Sequence, residues 1–243
     1  MKHFGKRGTH VGVVISFNLF IIFLLSVFLL INPVLKVRGE KQPVLDSLYP
    51  KILENISSNM TLTLVKVENG YSPTLGNCIE ISGGGWESGE NITVKNLADE
   101  RIESNISSLS VNLNWTDEPR FLKIYSSLES FEDMPLSSGS CDVPSEGADF
   151  SIKSIKTEKY VFESSILRLN ASYNPSSYQD LKEYFDIPLE EEFGFRFINS
   201  EGITEVEAGR VPNSISVYSK KKYVNYVTNQ SKILPGIIIV KIW

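Results

Sequence analysis

Residues Val11–Ile31 read Val-Gly-Val-Val-Ile-Ser-Phe-Asn-Leu-Phe-Ile-Ile-Phe-Leu-Leu-Ser-Val-Phe-Leu-Leu-Ile, without a charge. A helix rises about 1.5 Å per residue, so this run matches the roughly 30 Å hydrocarbon core of a bilayer. Lipid offers backbone N–H and C=O groups no partner, and a helix pairs them internally. The run is predicted to be a transmembrane helix. The first alternative, a cleaved secretory signal, has a shorter apolar core of about 7–15 residues and a small-residue cleavage site. Here Asn32-Pro33-Val34-Leu35-Lys36 follows instead. The second, a core helix of a soluble protein, is disfavoured because no charged face marks a solvent side.

This helix divides the chain into a basic cytoplasmic segment (1–10), the span (11–31), a juxtamembrane linker (32–43) and an extracytoplasmic domain (44–243). Removing Lys2, Lys6 and Arg7 from 24 basic residues leaves 21 against 29 acidic ones, a net of −8. That balance argues against nucleic acid as a partner, since phosphate binding needs a basic footprint. The expected partner is the lipid bilayer.

Flanking charge does not orient the helix, because Lys2, Lys6 and Arg7 on one side match Lys36, Arg38 and Lys41 on the other. Two other features place the carboxy-terminal bulk outside the cell. Asn-x-Ser/Thr glycosylation triplets begin at Asn55, Asn59, Asn91, Asn105, Asn114, Asn170 and Asn229, while Pro175 excludes Asn174. Chance would supply about two to four such triplets. The only cysteines, Cys78 and Cys141, both follow the apolar run. An even cysteine count in an exterior domain favours a disulfide, whose loop closure would contribute about 4 kcal/mol. Two unrelated buried thiols are the alternative.

Just before the apolar run stands Lys6-Arg7-Gly8. This resembles the cleavage site of class III signal peptides in archaeal type IV pilins and archaellins. The resemblance implies cleavage between Gly8 and Thr9 on the cytoplasmic side. It also implies retention of the apolar helix, which would pack against other copies or other pilin-like subunits in a filament core. Thr9-His10 departs from the usual pair after the cut, and Val13 stands where many pilins carry Glu. Asn32-Pro33 is predicted to interrupt the helix that pilins extend into the head. The chain also resembles uncharacterised archaeal membrane-anchored proteins. That likeness lies in Gly8-Thr-His-Val-Gly12, Leu53-Glu-Asn-Ile-Ser57 and the closing Pro235–Trp243 run.

Past the linker the fold class is α+β: a β-rich antiparallel domain, a β-sandwich in outline, with a few short helices. Apolar positions 45, 48, 49, 52, 53 and 56 fit a helix near 47–58, with Ser47 as N-cap and Pro50 in its first turn. Strands are predicted at Thr61–Val67, Cys78–Ser82, Ile92–Val94, Leu109–Trp115 and Phe121–Tyr125, by alternation or β-branched content. Leu109, Val111, Leu113 and Trp115 are assigned to one buried face, with Asn114 on the wet one. Gly83–Gly89 reads as a flexible loop and Ser126–Ala148 as a loop held by Cys141.

Phe150–Ile152 and Tyr160–Phe162 are read as flanking a lysine-bearing turn. Helices follow near 162–173 and 178–186, the second capped by Ser177. The remainder is β. Phe193, Phe195 and Phe197 alternate, 199–210 is a turn region, and Ile215–Val217 and Tyr223–Val227 surround a Lys220–Lys222 tip. Ile237–Trp243 is expected as a strand paired inside the sheet, since a free apolar edge aggregates.

The chemistry is sparse. Both histidines, His3 and His10, precede the apolar run, so Ser-His-Asp and Cys-His systems are absent from the exterior domain. Asp186 with Glu190-Glu-Glu192 could hold Ca²⁺ but lacks a Ca²⁺-loop spacing, and reads better as a solvated acidic turn. No catalytic residue, metal ligand or cofactor is assigned, and no enzyme is expected. The leading expectation is a pilin-like structural or adhesive surface subunit. A non-filamentous single-pass binding module comes second, and an exterior hydrolase with paired carboxylates is a distant third.

Overall fold

One helix, α1 (Gly8–Asn55), occupies the first fifth of the molecule and runs without a break for 48 residues, about 72 Å. The computed structural model describes residues 8–243 except 69, 75, 76, 108, 116–119, 137–139, 175 and 210–216. At 8–11, 31–40 and 107 it describes the backbone only. After α1 come β1 (Ser57–Val67), β2 (Cys78–Ser82), β3 (Asn91–Lys95), β4 (Arg101–Ile102), β5 (Ser104–Ser107), β6 (Ser110–Asn114), β7 (Phe121–Ser127) and β8 (Phe150–Phe162). Helices α2 (Glu163–Ser172) and α3 (Tyr178–Tyr184) precede β9 (Phe193–Ile198), β10 (Thr204–Ala208), β11 (Tyr218–Val227) and β12 (Ile233–Ile242).

The fold is α+β, and nearly all strand pairs are antiparallel. A nine-stranded sheet has the order β10-β9-β12-β11-β8-β1-β7-β3-β4, and a small sheet has the order β2-β6-β5. The large sheet is two halves joined at one corner. β11 and β8 run parallel and share only the pairs Tyr226–Val161 and Val227–Phe162.

Each half has its own core. The second half of α1 lays Leu45, Leu48, Tyr49, Ile52 and Ile56 on β9–β12, where they meet Phe193, Phe195, Phe197, Ile238 and Val240. The small sheet covers β1, β3 and β7, burying Ile79, Ile81, Val111 and Leu113 against Val65, Val94, Leu122 and Ile124. That half is a sandwich. Beside the small sheet, Cys78 and Cys141 form a disulfide with Cα atoms 4.6 Å apart, closing a 63-residue separation.

The expected linker at 32–43 is helical instead, and no separate helix starts at Ser47: both belong to α1. A proline inside a helix costs about 3 kcal/mol. Burying Leu45, Leu48, Tyr49 and Ile52 returns about 6–12 kcal/mol, so tertiary packing holds the helix through Pro43 and Pro50. The predicted turn between Phe150–Ile152 and Tyr160–Phe162 is one thirteen-residue strand, because β1 pairs with it from Phe150 to Val161 across a single register irregularity. The turn region 199–210 contains strand β10, held by β9. Lys220–Lys222 lie inside β11 and not at a tip, paired with Ile238–Val240 of β12. Leu109 is exposed, since β6 begins one residue later. Of the predicted strand at Ile215–Val217, residues 215 and 216 lie outside the described residues, as does Pro175. Strand β12 is interior, between β11 and β9, as its apolar run predicts.

Candidate assembly helix and distal cleft

Helix α1 has two chemically different halves. Gly12–Leu30 is long and apolar enough to cross a membrane, and none of it is buried in the molecule. From Val44 onward an apolar stripe at helical spacing seats the helix on the sheet, because only one side of its circumference is apolar there.

Charged contacts fix the register of that seat. Lys41 pairs with Glu191 at 2.8 Å, and Asp46 with Lys220 at 2.6 Å. Lys51 reaches Asp186 at 2.5 Å and donates to the Phe185 carbonyl at 3.1 Å. Lys220 and Lys222 each place their ammonium over the Tyr49 ring, 5.5 and 5.6 Å from its centre. The hydrogen bond from Lys220 holds the Asp46 carboxyl below its ordinary value, and burial pushes the Tyr49 phenol up. Together these contacts make the second half of α1 a structural part of the domain, while Gly12–Leu30 stays unburied among the described residues.

The acidic turn considered for Ca²⁺ is committed to lysines. Glu191 meets Lys41, Asp186 meets Lys51, and Glu192 lies 3.7 Å from Lys182. Among the described residues no group of three or more His, Cys, Asp or Glu could hold a metal ion.

Two lysines in the core went unpredicted. Lys182 is 2% exposed and donates to the Leu189 carbonyl beside the Tyr178 ring. Its signal was its position four residues after Tyr178, on the buried stripe of α3. Lys95 is equally buried, donates to the Ser231 carbonyl at 2.9 Å and faces the Tyr125 ring. Burial lowers its pKa. Nothing local marks it, since its partner is 136 residues away.

At the sheet end opposite Lys41–Glu191, roughly 30 Å along β12, an open cleft of about 830 Å³ lies between the β11–β12 hairpin, the β9–β10 turn, the start of α2 and residues 130–132. Asn229 stands at its rim.

The predicted site residues disperse. Gly8 and Thr9 open α1. Asn59, Asn91, Asn105, Asn170 and Asn229 are exposed, while Asn55 and Asn114 are half-buried. The Asn114 amide donates to Glu103 and the Asn91 amide to the Leu128 carbonyl. Ser177 sits at the N-cap position of α3, but its hydroxyl donates back to the Ser172 carbonyl instead of capping. Gly83–Gly89 is pinned by Trp86, which is buried and donates to the Leu109 carbonyl at 2.8 Å.

No family model, curated protein or solved structure matches this chain.

Proposed function

We propose that this chain is a membrane-anchored cell-surface protein of pilin-like build, with its N-terminus in the cytoplasm and residues 44–243 outside the cell. One observation carries the reading: a single helix whose second half is core to the domain and whose apolar first half, Gly12–Leu30, is unburied among the described residues. Such a helix needs lipid or other apolar helices around it. Side-by-side packing of Val11–Ile31 from neighbouring copies, with the domain displayed outward, gives it those partners. Helix continuity through 32–43 supports this reading, since a stiff connection transmits the position of the packed helix to the displayed domain.

Cleavage after Gly8 would leave Thr9 as the first residue. Mass spectrometry of the mature N-terminus tests this, with a Thr9 terminus expected and filaments lost in Gly8→Val. An intact Met1 or Lys2 terminus argues against pilin-type processing.

The second reading, a non-filamentous binding module on the same anchor, is favoured by the distal cleft. Its size lies within the range of ligand sites, about 300–1,000 Å³.

A further inference from the structure

We infer that Asn229 carries an N-linked glycan whose first sugars lie in the distal cleft; this rests on the reading that the domain faces the cell exterior. The seven triplets are alike in sequence, but the structure separates them. Asn91 and Asn114 spend their amides on Leu128 and Glu103, and Asn55 is half-buried at the end of α1. Asn229 occupies the second position of the tight turn Thr228–Ser231, closed by the Ser231 N–H to the Thr228 carbonyl at 2.8 Å.

The backbone of Asn229 is held from two sides. Its N–H donates to Glu163 at 2.9 Å, and its carbonyl accepts from the Glu132 N–H at 2.8 Å. The side-chain amide has no protein partner among the described residues. The amide is exposed and uncommitted, whereas the triplet's Ser231 hydroxyl is buried and donates to the Gln230 carbonyl, so sugar transfer has to precede closure of this turn.

The cleft beside it suits a carbohydrate. Sugars present hydroxyls around their edge and C–H groups on their faces. Glu201 and Gln230 supply hydrogen-bonding groups, and Leu167 and Leu234 supply apolar surface. At about 830 Å³ the cleft has room for more than one ring. Asn59, Asn105 and Asn170 are exposed too, but none of them lines this cleft.

The donor class is an oligosaccharide linked through phosphate to a membrane lipid. Asn229 Nδ2 forms a bond to the sugar C1 as the C1–O bond to phosphate breaks. The lipid phosphate leaves with the bonding electrons, and the amide gives up one proton.

The full chain, purified from the membranes of the cells that make it, is digested and its glycopeptides are read by mass spectrometry. Modification at Asn229 is expected. Hydrogen–deuterium exchange before and after enzymatic glycan release then tests the seat. Release should remove exchange protection in residues 199–205 and leave 151–160 unchanged, and Asn229→Gln should reproduce that loss without enzyme. An unmodified Asn229, or protection at 199–205 that is indifferent to the glycan, overturns the inference. Protease shaving of intact cells reads the exterior location separately. A domain that is shaved but bare at Asn229 sinks the glycan alone, whereas a protected domain sinks the exterior reading with it.

Discussion

Lys220 of β11 and Asp46 of α1 are joined at 2.6 Å, Nζ to Oδ1, across 174 residues of sequence. The pair sits above Tyr49, whose ring also receives Lys222. It marks the line along which the entering helix becomes part of the domain.

The apolar contacts below that line carry the stability, and the ion pair contributes register. Asp46 and Lys220 are both substantially solvated, so Asp46→Asn should leave the denaturation midpoint nearly unchanged. Ile52 is fully buried among the sheet side chains, and Ile52→Ala should cost about 2–5 kcal/mol. Chemical denaturation of the full chain in detergent, followed by tryptophan fluorescence, compares the two. A larger effect from Asp46→Asn would reverse this ranking.

Glu129 gives the fold an acid-sensitive joint. Burial raises its pKa, but hydrogen bonds from Arg168, Ser164 and Ser165 outweigh that, and the net shift is downward from 4.5. The folded state therefore binds its proton less readily than the unfolded chain. The resulting stability is present above the ordinary value of 4.5 and is lost as pH falls through the lower folded value. Glu129→Gln should flatten the acid limb of a stability-versus-pH curve in that window. An unchanged limb would assign acid lability to other carboxylates.

Reduction of Cys78–Cys141 should destabilise the sandwich half selectively. The bond closes a 63-residue separation, which corresponds to about 4 kcal/mol of loop-closure entropy. Cys78→Ala with Cys141→Ala should lower protection of β2 and β6 in hydrogen exchange before that of β11 and β12. Simultaneous loss in both halves would mean that the two cores unfold as one unit.

The outer edge of β8 is open, since among the described residues β11 meets it only at Val161 and Phe162. Lys153, Lys156 and Lys159 stand exposed along that edge. Charged residues on a free edge block strand addition by other chains. Replacing all three with threonine, which keeps strand propensity and removes the charge, should produce light-scattering aggregates at concentrations where the parent chain stays clear. Equal solubility would show that something other than these charges guards the edge.

Much of the architecture was legible because its causes are local. Alternation at Val111, Leu113 and Trp115 predicts a one-sided strand; Val111 and Leu113 are buried in β6 and Trp115 just past its end. Cys78–Ser82 coincides with β2. The run 237–242, apolar but for Lys241, predicts an interior strand because neither of its faces is polar throughout, and β12 has a strand on either side. The failures share one cause. Pro43 and Pro50 look like helix breaks when only the backbone cost is counted, and the compensating burial on β9–β12 is not visible along the chain. The lysines of 153–159 and 220–222 look like turn tips, yet both runs are strands because β1 and β12 supply their hydrogen bonds. Pro235 and Gly236 precede the predicted Ile237–Trp243 strand, which in the structure starts earlier, at Ile233. Gly236 is then an interior residue of β12, where a Cβ would come within 2.8 Å of Phe197 and 3.0 Å of Tyr226.

By itself the sequence determined that one end of this chain carries an apolar run long enough to cross a membrane as a helix and that the rest is mainly β. Hydrophobic run length and side-chain alternation are properties of neighbouring residues. Only the tertiary structure decided that helix and domain are one continuous piece, that two sheet halves meet at a single corner, and which of seven equivalent asparagines lies at the distal cleft. Those outcomes depend on contacts between residues many tens of positions apart, whose energies appear only when the strands have paired.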